Sequence, residues 1–168
     1  MNRRDACMLL AAAALAGPAL ATEARTMVKR RIPSSGEEIP VIGMGSSNTF
    51  DVEDSAGAKD PLREVLRALV EGGGTVIDTS PMYGRSEAVL GDLIADLALR
   101  PRPWIATKVW TRGREAGAAQ VAESMRRLRT DRLELLQIHN LLDWREHVPT
   151  LRSLQRSGHV RYSGITHF

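Results

Sequence analysis

The amino-acid sequence predicts an α/β fold in which parallel strands are joined by crossover helices. Two observations carry this. Apolar residues recur at helical spacing in four stretches, and each stretch is followed by a short β-rich run. Glycine and proline punctuate the junctions, at Gly72 to Gly74, Pro101 and Gly158. Strands and helices that alternate in this way build a parallel sheet with right-handed crossovers.

The elements follow in order. Met27 to Ile32, a turn at Pro33 to Gly36, and Glu38 to Gly43 read as a β-hairpin that plugs the domain and leads into a first buried strand. Leu62, Val65, Leu66, Leu69 and Val70 mark one helix face, and Thr75 to Ser80 is the next strand. Val89, Leu90, Leu93, Ile94 and Leu97 mark a helix ending near Pro101, before the strand Trp104 to Val109. Ala118, Val121, Met125 and Leu128 share a third helix face, before Leu133 to His139. Val148, Leu151 and Leu154 mark the last helix, and Arg161 to Thr166 the last strand. The open doubly wound sheet and the closed eight-stranded barrel both show this alternation, and periodicity does not separate them.

The first 21 residues read as a leader. Arg3 and Arg4 precede an alanine-rich apolar run from Met8 to Leu20, and Ala19-Leu20-Ala21 has the small-residue form of a cleavage site. Twin arginines point to the Tat export machinery and a periplasmic destination. Ala6 and Cys7 stand where Tat signals usually carry bulky apolar residues, so an ordinary secretory signal is the alternative. If the leader does not function, the protein stays cytoplasmic. The apolar run is too short to span a bilayer, so no integral membrane segment is expected once it is removed.

Composition narrows the function classes. The 43% hydrophobic content belongs to an ordinary globular domain, expected over residues 22–168. Without Arg3, Arg4 and Asp5, the 23 Lys and Arg and 20 Asp and Glu fall to 21 and 19, a net charge of +2. No clustered basic stripe is present, so nucleic-acid binding is not expected. Cys7 is the single cysteine and belongs to the leader, which excludes disulfides and cysteine metal sites from the rest of the chain. No metal is expected.

Polar residues gather where strands end: Asp78, Lys108 and His139 would meet at one mouth. An unpaired buried charge is costly, so Asp78 and Lys108 are expected to answer each other, as a structural ion pair or as part of a reactive group. Tyr83 lies five residues beyond Asp78, close enough for its hydroxyl to meet the Lys108 ammonium and become a usable proton donor. Carbonyl reduction needs such a donor. A Schiff-base role for Lys108 needs a neutral amine, which an adjacent Asp78 disfavours.

The stretch Val76 to Gly91 resembles the signature of the aldo-keto reductase family, with Asp78, Tyr83, Gly84, Ser86, Glu87, Leu90 and Gly91 at the family's positions. Ala106 to Lys108 is similar to its lysine strand and Gln137 to His139 to its histidine strand. The resemblance implies a (β/α)8 TIM-type barrel closed below by an N-terminal β-hairpin, here truncated after about five strands. It implies NADPH as cofactor and an aldehyde or ketone as small-molecule substrate. In those terms Tyr83 is the general acid, Lys108 its partner, Asp78 the anchor of Lys108, and His139 the group that orients the carbonyl. Gly45 and Ser46 match the motif beside the nicotinamide ribose. Trp110 either lines the substrate pocket or serves ordinary packing.

Two departures stand out. The family's Gly-Val-Ser-Asn-Phe reads Gly164-Ile-Thr-His-Phe168 here. Thr166 keeps the hydroxyl, whereas His167 replaces the amide that contacts nicotinamide and can still donate one hydrogen bond. The strands expected to grip the adenosine phosphates would follow Phe168. A five-strand unit is therefore expected to bind NADPH weakly, to lack turnover and to self-associate through open strand edges. The alternatives are an inactive fragment and a nicotinamide-sensing binding module, and an intact Tyr83 and Lys108 speak against the latter.

Overall fold

The computed structural model describes residues 27–167, so the leader with its twin arginines and Cys7 lies outside the described residues, as does Phe168. The element order is β1 (Lys29–Arg31), β2 (Glu38–Pro40), β3 (Gly43–Gly45), α1 (Ala56–Glu71), β4 (Val76–Asp78), α2 (Ser86–Asp96), β5 (Trp104–Val109), α3 (Arg114–Arg127), β6 (Leu133–His139), α4 (Trp144–Arg156) and β7 (Val160–Thr166). Strands β1 and β2 form an antiparallel hairpin, and β3 to β7 form one parallel five-stranded sheet.

Strand order decides between the two architectures. The sheet runs β3-β4-β5-β6-β7 without a reversal. A doubly wound sheet reverses direction at a switch point, whereas a barrel adds each strand on the same side of the last. Right-handed crossovers in one constant direction put every helix on one face. Successive helices accordingly pack side by side. The core lies between them and the sheet, built from Leu66 of α1, Leu90 and Leu93 of α2, Val121 of α3, Leu151 of α4 and the outward strand residues such as Ile77 and Leu136.

The other face belongs to the barrel interior, and the register places the polar strand residues there. Gly45 pairs with Asp78 and Asp78 with Ala106; Lys108 pairs with Gln137, and His139 with Thr166. Because side chains alternate with a period of two, Gly45, Asp78, Lys108, His139 and Thr166 all share one face. Lys108 stands two residues above the partner of Asp78, and His139 two above the partner of Lys108. This stagger is the shear that tilted barrel strands require.

The hairpin closes the opposite end. Glu37, just before β2, accepts hydrogen bonds from the Tyr162 hydroxyl at 2.6 Å and from the Arg161 guanidinium, both on β7. Trp104 stacks on Tyr162 with ring centroids 6.1 Å apart, which fills the floor above the hairpin.

Several boundaries differ from the sequence reading. The first sheet strand covers only Gly43–Gly45, and Val41 and Ile42 are exposed, because they bridge the hairpin to the sheet without a covering layer. Strand β4 stops at Asp78; the Thr79 N–H still donates to the Ala106 carbonyl at 2.9 Å, and the turn opens at Ser80, whose carbonyl accepts the Tyr83 N–H at 3.1 Å. Helix α2 ends at Asp96 rather than near Pro101, with Leu97 as its cap. Val65 and Ala118 point to solvent: each lies at the rim of its helix's apolar stripe.

Candidate active site

Lys108 is the centre of the site. It sits near the carboxyl end of β5, a strand buried along its whole length, and its side chain is 4% exposed. A lone ammonium there would be costly, and three acceptors answer it: Asp78 Oδ1 at 2.9 Å, Asp78 Oδ2 at 2.7 Å and the Thr79 carbonyl at 2.9 Å. All three ammonium protons have partners.

Tyr83 meets Lys108 with its ring. The ammonium stands 5.0 Å from the ring centroid, within cation–π range. The sequence reading expects the hydroxyl to meet the ammonium; the structure shows a ring contact, since the protons of Lys108 are directed at Asp78 and Thr79. The turn that places Tyr83 is tightly specified. Tyr83 N–H donates to the Ser80 carbonyl at 3.1 Å, and Ser86 N–H to the Tyr83 carbonyl at 3.0 Å. Gly84 adopts φ +54, and a Cβ there would overlap the Asp51 carboxylate, which accepts the Arg85 N–H at 2.9 Å.

The remaining signature residues hold the frame. The Ser86 hydroxyl donates to the Ser46 carbonyl at 3.2 Å, joining the β4 loop to the end of β3. The Thr107 hydroxyl donates to Glu87 at 2.7 Å, tying α2 to the back of β5 one residue before Lys108. Gly91 lets α2 approach α3, since a Cβ there would overlap the Arg127 carbonyl.

His139 ends β6 on the same face. Burial pushes its pKa below 6.5, and the nearby Lys108 charge pushes the same way against the opposing pull of Asp78, which favours the neutral ring. Trp110 lies edge-on to it, with ring centroids 6.1 Å apart and planes at 77°, and is 44% exposed. Trp110 is thus at the mouth rather than in the core.

The residues read as cofactor-binding line the same rim. Gly45 is opposite Asp78, and nothing lies within 4 Å of where a Cβ would stand. Ser46 is buried; its N–H donates to the Asp78 carbonyl at 3.0 Å, and its hydroxyl has no partner among the described residues. Thr166 pairs with His139, and His167 follows at the exposed end of β7. An open face over Gly45 beside an unpartnered hydroxyl suits a flat, hydrogen-bonding ring. Among the described residues no group of three or more His, Cys, Asp or Glu could hold a metal ion, and no helix is long and apolar enough to cross a membrane.

Sequence reasoning missed the Thr79 carbonyl and a set of side chains around Trp110: Gln120, Asp143 and His147. A backbone acceptor leaves no trace in composition. His147, in contrast, is four residues from Leu151 on the buried stripe of α4, a polar residue on an apolar face that could have been singled out.

A parallel strand series that never reverses, with an acid, a tyrosine, a lysine and a histidine collected at its carboxyl ends, has the form of five successive strands of a (β/α)-barrel. Within that class the chain belongs to the aldo/keto reductase family, whose sequence profile matches residues 41–168. It is 32% identical over 152 residues to the aldo-keto reductase YhdN of Bacillus subtilis, covering 82% of this chain and 46% of that protein. It is 31% identical over 147 residues to the methylglyoxal reductase YeaE of Escherichia coli, covering 83% and 50%. Among solved structures it resembles an aldo-keto reductase from Klebsiella pneumoniae in complex with NADPH, with a TM-score of 0.70, 31% identity and 83% and 50% coverage. The chain spans about half the length of the curated relatives it matches.

Proposed function

We propose that this chain carries the reacting centre of an NADPH-dependent aldo-keto reductase that converts aldehydes or ketones to alcohols, with Tyr83 as general acid. The observation that carries the reading is the buried Lys108, bound to both oxygens of Asp78 and facing the Tyr83 ring at 5.0 Å. A structural ion pair has no need of a phenol beside it.

Tyr83 donates its proton to the carbonyl oxygen as that oxygen gains charge, and the fixed positive charge of Lys108 stabilises the phenolate left behind. Asp78 holds Lys108 in place. His139 donates a hydrogen bond to the same carbonyl oxygen and orients it. NADPH supplies the hydride when bound. Gly45, Ser46, Asp78, Thr166 and His167 would hold its nicotinamide end, and Tyr83, Trp110 and His139 would face the substrate. Two relatives carry the names methylglyoxal reductase and glyoxal reductase, which supports a small carbonyl compound as first substrate to try. The leader read at residues 1–21 supports export by the Tat machinery to the periplasm, where a protein translocated folded brings its nicotinamide with it.

The test is NADPH titration and turnover with methylglyoxal, made on the chain joined to the strands that complete the family's barrel, since five strands alone are expected to lack turnover, and compared with Tyr83→Phe in the same protein. Both should quench NADPH fluorescence alike, and only the parent should oxidise NADPH. Undiminished turnover by Tyr83→Phe would remove Tyr83 from the role of acid.

A further inference from the structure

The segment Trp110 to Gly113, which follows β5, is fastened at three points by side chains from outside it. Gln120 of α3 grips Trp110 twice: its Oε1 accepts the Trp110 N–H at 2.7 Å, and its Nε2 donates to the Trp110 carbonyl at 3.4 Å. His147 of α4 reaches the Thr111 carbonyl at 2.8 Å. Asp143, which caps α4, accepts the Gly113 N–H at 2.7 Å through Oδ2.

Two of the clamps have a local cost that marks them as specified. A carbonyl only accepts, so His147 Nε2 carries the proton, and Nδ1 is left buried with no partner among the described residues. The imidazole is 1% exposed. Gly117 makes room for it, since a Cβ there would stand 2.5 Å from His147 Nδ1 and Cε1. Gly113 adopts φ +84, and Asp143 holds φ +50, with Asn140 and Leu141 in the same left-handed region. Leu141 is a residue type that rarely adopts this region, and the left-handed residues lie on the loop between His139 and the Asp143 clamp.

We propose that Gln120, Asp143 and His147 are positioning residues that hold Trp110 as a fixed wall beside His139. Asp143 lies on the β6–α4 loop and His147 on the first turn of α4, so two of the three clamps tie the loop carrying Trp110 to the elements that follow the strand end carrying His139. The clamps fix the Trp110 backbone and His139 lies edge-on to the exposed indole, so the side chain has less freedom to lose when a substrate group packs on it. The clamp stands on geometry alone; its effect on substrate rests on the function proposed above.

The experiment uses the full chain with Trp104→Phe and Trp144→Phe, so that Trp110 is the only indole of the three. Time-resolved fluorescence anisotropy then reads its motion on the nanosecond scale. Gln120→Leu and His147→Phe should each raise the amplitude of fast depolarisation about twofold, and His147→Gln, which restores a donor, should bring it back toward the parent value. Unchanged anisotropy in Gln120→Leu overturns the clamp, and that variant decides alone should His147→Phe fail to fold. In the completed barrel, Gln120→Leu should raise KM for the aldehyde about fivefold with kcat within about twofold. A fall in kcat at unchanged KM would overturn the substrate wall. A completed barrel without turnover would refute the functional reading, while the anisotropy of the chain still decides the clamp.

Discussion

Lys108 directs its ammonium at both carboxylate oxygens of Asp78, 2.9 and 2.7 Å away, although the two are not register partners. Asp78 is paired with Ala106, so Lys108 starts two residues higher and bends its long stem back down. The strand stagger therefore makes the pair, and the two residues differ in what they lose without each other. The Lys108 side chain is 4% exposed and that of Asp78 is 40%.

This asymmetry predicts unequal single variants. Asp78→Ala leaves a buried ammonium with one carbonyl and should cost about 2–3 kcal/mol, less than a fully enclosed pair because Asp78 is partly wet. Lys108→Met leaves a carboxylate that water can reach and should cost about 1 kcal/mol or less. The double variant should lie near Lys108→Met, measured by urea unfolding as a mutant cycle. Additive costs would mean that the two residues stand independently.

His139 provides a pH test. Its folded pKa lies below 6.5, chiefly through burial and then through Lys108. Between the folded and unfolded values the unfolded chain binds more protons, so stability rises with pH through that window and is lost on acidification below about 6.5. The slope should amount to a fraction of one proton and vanish in His139→Gln. Lys108→Met should move the His139 titration upward by NMR; a downward move would exclude the ammonium as a cause.

Glu87 runs opposite to most carboxylates. Burial raises its pKa above 4.5, and the hydrogen bond from Thr107 only partly offsets this. Between 4.5 and the raised value the folded chain binds more protons, so stability is fully present below 4.5 and falls as pH rises through the window. Glu87→Gln keeps an acceptor for Thr107 and removes the charge. At pH 7 it should be neutral or stabilising by about 1 kcal/mol, whereas Glu87→Ala should destabilise. Thermal melts at pH 5 and pH 8 would show it, and a Gln variant losing stability at pH 8 would mean that the carboxylate is needed there.

Legibility in the sequence followed the physics of each element. Strands β5 and β6 were readable to the residue because apolar runs between turn residues are sufficient to specify a buried strand. Strand β3 was not, since Gly43-Met44-Gly45 owes its pairing to β4 and not to its own β propensity. Asp78, Lys108 and His139 were visible as polar residues in apolar strands, and register then brought them to one face. Thr79 and Gln120 were invisible: one acts through its backbone, the other through a helix phase that only packing sets. Val65 looked like core because a helical stripe has a rim that periodicity does not resolve.

The hairpin's hold on β7 gives the last prediction. Glu37 is separated from Tyr162 by 125 residues, yet the Tyr162 hydroxyl stands 2.6 Å from its carboxylate and 2.7 Å from the Ser35 hydroxyl. A phenol has one proton, and the carboxylate is the stronger acceptor, so Tyr162 donates to Glu37 and Ser35 donates to Tyr162. Burial pushes the Glu37 pKa up, but Tyr162 and Arg161 outweigh it and hold it below 4.5. The stabilisation is therefore present above 4.5 and lost as pH falls through the lowered value. Tyr162→Phe keeps the stack on Trp104 and should cost about 1–2 kcal/mol at pH 7, shrinking toward zero in acid. Because this contact joins the first hairpin to the last strand, its loss should also expose the hairpin amides to hydrogen exchange before those of β5 and β6. Equal hairpin protection in Tyr162→Phe and the unsubstituted chain would mean that β1 and β2 are held by their own pairing and that the floor of the sheet does not depend on Glu37.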